Sequence, residues 1–163
     1  MKTIEYTYRQ DEHVEWGVGP WLNEVDKMQW TDEATGLPCL VVRNRRGAWC
    51  GYVCVDESHP LFNVDSMDAD LDTDVHGGLT FSGFCAPDDK EHGICHIVEP
   101  GENDRVWWFG FDCNHWNDYA PALEARMRKR DPDEEPLNQL EQYKTIEYAK
   151  KEVRNLAKEL ARS

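Results

Sequence analysis

The stretch QLEQYKTIEYAKKEVRNLAKELAR, residues 139–162, decides the fold. Leu140, Tyr143, Ile146, Ala149, Val153, Leu156 and Leu160 recur every three or four residues with no glycine or proline between them, the spacing of one apolar stripe on a helix. Such a stripe leaves water only by lying on another apolar surface, and the rest of the chain offers a sheet. Leu37 to Asn44 and Ala48 to Val55 are short runs rich in branched and aromatic residues, joined at Arg45-Arg46-Gly47 as a hairpin. Lys2 to Tyr8 alternates and reads as an opening strand, as do Asp74 to Gly83 and Val106 to His115. The class expected is α+β, a single domain over residues 1–163. A curled antiparallel sheet of roughly five or six strands fills residues 1–115, and a mixed loop with a short helix near Ala120-Pro121 fills 116–138. The C-terminal helix, 139–162, packs across the sheet.

A chain of 163 residues is long enough for one hydrophobic core, and 40% hydrophobic residues with seven tryptophans exclude a disordered polymer. No run approaches the ~20 apolar residues of a membrane span. The start, Met1-Lys2-Thr3-Ile4-Glu5-Tyr6, lacks the apolar stretch of an export signal, so a cytoplasmic location is expected. In that compartment Cys39, Cys50, Cys54, Cys85, Cys95 and Cys113 are expected as thiols. Cys50 and Cys54, four apart on one strand, share a face as small core residues, and no Cys-x-x-Cys pair suggests zinc. The net charge of −14 is uneven: the C-terminal helix has more bases than acids, whereas Asp56 to Asp74 holds seven acids and no lysine or arginine. That balance disfavours direct nucleic-acid binding, which needs cations to displace counterions. It suits a solvated loop or, as the alternative, attraction to a basic partner such as a protein's DNA-binding groove.

The candidate site comes from glycines and ionisable residues lying inside strand-like stretches, where they weaken a strand and mark close approach. By period-two alternation Asp74, His76, Gly78, Thr80 and Ser82 share one face. Trp108, Gly110 and Asp112 share a face of the second strand, opposite Trp107, Phe109, Phe111 and Cys113, which read as core. If the two strands are neighbours, a glycine-floored hollow opens between His76, Trp108 and Asp112. His76, Asp112 and His115 are the expected acid–base group, since imidazole titrates near neutrality and a carboxylate fixes its tautomer. Asp74, Gly77, Gly78, Thr80, Trp108, Gly110, Asp118 and His59 are the expected ligand contacts, with Trp108 stacking on a planar group.

The stretches Gly51-Tyr52-Val53, His59-Pro60-Leu61, Asp74-Val75-His76-Gly77-Gly78-Leu79-Thr80 and Trp107-Trp108-Phe109-Gly110-Phe111-Asp112-Cys113-Asn114-His115 come with Asp118 and, in the last helix, Tyr143, Ile146, Tyr148 and Glu152. Together, over residues 47–160, they resemble a family of short proteins from tailed phages and prophage-like regions of bacteria. The resemblance implies an accessory protein, of a kind that counters host defence or redirects host enzymes; it implies no activity.

Three functional expectations follow. The first is capture of a small nucleotide-like ligand in the His76/Trp108/Asp112 hollow, the second a small hydrolase using the same hollow, and the third an acidic inhibitor of a host protein. No cofactor is expected. His59, His76, Asp112 and His115 carry the right atoms for zinc, but they are scattered over loops without a His-Glu-x-x-His spacing, and no metal is expected. The acidic run Asp68 to Asp74 fails as a calcium loop, with Leu79 where the bidentate glutamate belongs. Cys113 beside His115 lies on the apolar face and is expected to be inert.

Overall fold

Pro38–Arg43 (β3) and Trp49–Val55 (β4) pair antiparallel across the expected hairpin, Val42 opposite Cys50 and Arg43 opposite Trp49. Around this hairpin a computed structural model, describing residues 1–86, 88–89 and 91–163, builds one six-stranded antiparallel sheet. Ile4–Tyr6 (β1) and Lys27–Thr31 (β2) extend it on one side. On the other side Trp107–Asp112 (β6) pairs with β4, and Phe81–Gly83 (β5) forms the edge, giving the order β1-β2-β3-β4-β6-β5. Helices Gln10–Glu15 (α1) and Pro121–Arg130 (α2) flank the sheet in sequence, and Ile146–Leu160 (α3) lies across β3 and β4. The class is α+β, as expected. No helix among the described residues is long and apolar enough to cross a membrane.

The C-terminal helix is shorter than the 139–162 expected. Thr145 caps it, its hydroxyl accepting from Tyr148 N, and Leu140–Gln142 forms a separate 3-10 turn. Val153, Leu156 and Leu160 are 0% exposed against Trp49, Val53, Phe109 and Phe111. Each aliphatic side chain buried there contributes ~1.5–3 kcal/mol.

The other sheet face is not a polar hollow. Leu40, Val42, Cys54, Val106 and Trp108 form a second core, with Tyr52, Phe81 and Ile94 packed against it. Trp108 is 0% exposed, with the His96 ring edge-on at 5.2 Å. Gly110 is covered by the Tyr52 ring, which a Cβ there would overlap. Cys85 and Cys95 are joined by a disulfide, Cα atoms 4.9 Å apart, which corrects the expectation of six thiols: the loop folds back and brings its ends within disulfide range. The other four cysteines are free and buried. Burial pushes the Cys113 thiol well up, so it is inert, as its apolar face implied. His96-Ile97-Val98 makes no strand, since the Ile97 backbone N–H and C=O bond the Gln29 side chain at 2.9 and 3.0 Å. Pro87 and Lys90, inside the turn-rich excursion expected from Cys85 to Gly93, lie outside the described residues.

The N-terminal segment builds a charged network into the core. Arg43, 0% exposed, donates to Gly47 O at 2.7 Å, Tyr143 Oη at 2.8 Å and Glu24 Oε2 at 2.9 Å, and stacks on Trp49. Asp26, also 0% exposed, accepts from Tyr8 N, Arg9 N and His13 Nε2. Glu24 accepts from Ile146 N at 2.9 Å, placing an anion at the α3 N-terminus. From β4 the chain runs through an extended strap in which Ala69, Leu71, Thr73 and Val75 turn inward. All seven acids from Asp56 to Asp74 are exposed along it, as a solvated run should be.

Candidate functional site

The strap ends in a turn where a strand was expected. Gly77 (φ 70°) and Gly78 (φ 80°) are both left-handed, and Gly78 N donates to Val75 O at 2.8 Å, so strand pairing starts only at Phe81. The turn presents His76 to α3, where Glu152 Oε2 accepts its backbone N–H at 2.9 Å.

A second segment arrives from the end of β6. Asp112 Oδ1 accepts from Asn114 N at 2.9 Å, turning the chain out of the sheet. His115 and Asp118 then close on each other: His115 N donates to Asp118 Oδ2, and Asp118 N to His115 O, both at 2.9 Å. Asp118 Oδ2 also lies 2.8 Å from His76 Nε2 and 3.3 Å from His115 Nδ1. The remaining nitrogen of His76 sits 3.0 Å from Tyr148 Oη. One carboxylate thus orients two imidazoles whose centroids are 5.2 Å apart.

Proton positions follow from the partners. An ionised aspartate only accepts, so His76 Nε2 and His115 Nδ1 carry hydrogen toward it. With its hydrogen on Nε2, the His76 ring has Nδ1 free to accept from the Tyr148 hydroxyl. Burial, reinforced by Glu152 and other anions nearby, raises the Tyr148 phenol and keeps that proton on oxygen. His115 Nε2 has no hydrogen-bond partner among the described residues, and the side chain is 30% exposed. Asp118 is 1% exposed, and its Oδ1 has no partner among the described residues. A cleft of about 180 Å³ adjoins the pair, lined by His115, Asp118, Leu137 and Asn138, with Trp116 90% exposed at its rim.

Of the expected site residues, His76, His115 and Asp118 meet, with Gly77 directly beneath the His115 ring. The rest do not join them. Asp112 bonds Thr80 Oγ1 at 3.2 Å instead of His76, because Trp108, Gly110 and Asp112 face the second core side while His76 turns toward α3. Trp108 is core, Gly110 seats Tyr52, and Asp74 is exposed on the strap. Gly78 completes the turn and faces open space. His59 holds the helix end: its Nε2 lies 2.8 Å from Leu160 O, and Nδ1 accepts from Leu61 N. Tyr148 and Glu152 were absent from the expected set; their spacing of four on one helix face was the available signal. The zinc-type set His59, His76, Asp112 and His115 is likewise not assembled. Among the described residues, the group of three histidine and acidic side chains whose ligand atoms all lie within 4.8 Å of one another is His76, His115 and Asp118. Comparison with protein-family models, curated proteins and solved structures finds no match to this chain.

Proposed function

We propose that this chain is a small hydrolase that acts on a compact nucleotide-like ligand. The observation that carries the reading is Asp118: buried, it orients His115 through Nδ1 and leaves Nε2 open beside a cleft. An imidazole held in this way can take a proton from an attacking water, the role a general base needs. His76, fixed between Asp118 and Tyr148, keeps that carboxylate in place. Trp116 at the cleft rim replaces the buried Trp108 as the planar surface for a base.

His76, His115, Asp118, Tyr148 and Glu152 come from separate segments of the chain, and the fold brings them together at this one place, which supports a site. On this reading the protein acts in the host cytosol. Capture without turnover is the second reading, favoured by the exposed indole of Trp116.

The test is turnover of a panel of cyclic, dinucleotide and ADP-ribose-type compounds by wild type and His115→Ala. Loss of ~10²-fold or more in the variant is expected for removal of a general base. Ligand recovered intact after long incubation selects capture, and a His115→Ala protein turning over at the wild-type rate overturns the assignment.

A further inference from the structure

We infer that His76, His115 and Asp118 hold a divalent transition-metal ion, zinc being the first candidate. His76 Nε2 and His115 Nδ1 stand 2.8 and 3.3 Å from the same oxygen, Asp118 Oδ2. Neighbouring ligands around an ion with bonds of ~2.0–2.2 Å are spaced by about 3 Å, so these atoms already have the separation of adjacent coordination positions. Binding replaces the two N–H···O contacts by bonds to one ion.

Three further observations point the same way. A metal-bound histidine usually has its second nitrogen fixed by a polar group, and Tyr148 Oη stands on the far nitrogen of His76 while Glu152 holds its backbone. Asp118 Oδ1 is unpartnered in a side chain 1% exposed, a costly state that an ion or its bound water relieves. The set also supplies three protein ligands, which leaves at least one position of a tetrahedral ion for water or substrate, as in catalytic sites. Two histidines and one carboxylate suit zinc and also ferrous iron, whereas a calcium or magnesium site would be built from oxygen.

The inference rests on the hydrolytic reading and changes the base within it: with Nδ1 on the ion, His115 Nε2 carries the ring proton, and a bound zinc, which lowers the pKa of its water to about 7, would supply the hydroxide, the water's proton passing to solvent. It does not depend on turnover for its test.

Tag-free protein stripped with chelator is titrated calorimetrically with Zn²⁺, with Mn²⁺ and Fe²⁺ as further arms, and retained metal is counted by mass spectrometry. One ion per chain is expected for wild type and for Asp112→Asn. A loss of ~100-fold or more is expected for His115→Ala and Asp118→Ala, each first shown folded by its melting curve, since disturbing even an outer partner costs 10–100-fold. His115 is the more exposed ligand, so its variant keeps the test decisive if Asp118→Ala unfolds. No binding by wild type at about 100 μM metal, or equal binding by His115→Ala, overturns the site. Metal bound without turnover refutes the hydrolase alone; turnover indifferent to chelation, with no metal bound, refutes the metal site alone.

Discussion

Gly77 and Gly78 provide a matched pair of perturbations. Both have positive φ, 70° and 80°, so alanine at either costs ~1–2 kcal/mol of backbone strain. For a domain of this size that lowers the melting temperature by roughly 2–8 °C. Their surroundings differ. A Cβ on Gly78 meets nothing within 4 Å, whereas a Cβ on Gly77 overlaps the His115 ring at Cε1 and Nε2. The ring is the movable partner, so it swings away, and its Nδ1 leaves the position 3.3 Å from Asp118. Gly77→Ala and Gly78→Ala should therefore melt alike and function differently. Zinc affinity should fall on the order of 100-fold in Gly77→Ala and stay near wild type in Gly78→Ala. Thermal denaturation and zinc titration of the two proteins side by side read this directly. Equal zinc affinities, with both proteins folded, would refute the placement of His115 over the turn.

Arg43→Met removes a buried guanidinium and leaves Glu24 and Asp26 without it; urea denaturation should show a loss of ~3–5 kcal/mol, and a loss under ~1 kcal/mol would mean the network carries little. Asp26 should make stability acid-sensitive. Burial opposes its ionisation, but hydrogen bonds from His13 and the Arg9 and Tyr8 backbone outweigh that, holding the carboxyl at about 2 rather than 3.8. Its folded value is depressed, so its contribution of about 2 kcal/mol is complete above pH 3.8 and is lost as pH falls through 2. Asp26→Asn should flatten the stability curve over that interval. His59→Ala should cost ~1 kcal/mol through the lost bond to Leu160 O and leave zinc affinity unchanged; a changed affinity would return His59 to the site.

The elements that periodicity announces are the ones that formed as expected. β3, β4 and β6 carry dense branched and aromatic runs, and α3 carries the apolar stripe, so local pattern and tertiary burial agree there. The helix start was misread because Leu140 and Tyr143 continue the three-four spacing through Thr145, whose side chain closes the first turn instead. Asp74 to Gly83 alternates as a strand would, but among the described residues its strand pairing starts only at Phe81, after the two left-handed glycines.

Alternation alone leaves the Trp108 face open, because the segment that brings Ile94 and His96 onto it has no periodicity to announce a second layer. The site was half legible. His115 and Asp118 are three apart in a turn, a spacing visible in sequence. The contact of His76 with Asp118 joins segments 42 residues apart, and nothing local distinguishes Asp118 from Asp112 as its partner. The buried Arg43–Glu24–Asp26 network was invisible for the same reason, since its members look like ordinary surface charges until three separate segments enclose them.

The most direct measurement is anomalous diffraction from crystals grown with zinc, with data on both sides of the zinc absorption edge. A single strong peak about 2.0–2.2 Å from His76, His115 and Asp118 ligand atoms, with open positions toward the Trp116 cleft, is the expected result. A zinc-free site with Asp118 still bridging both imidazoles, in protein crystallised at saturating zinc, would contradict it.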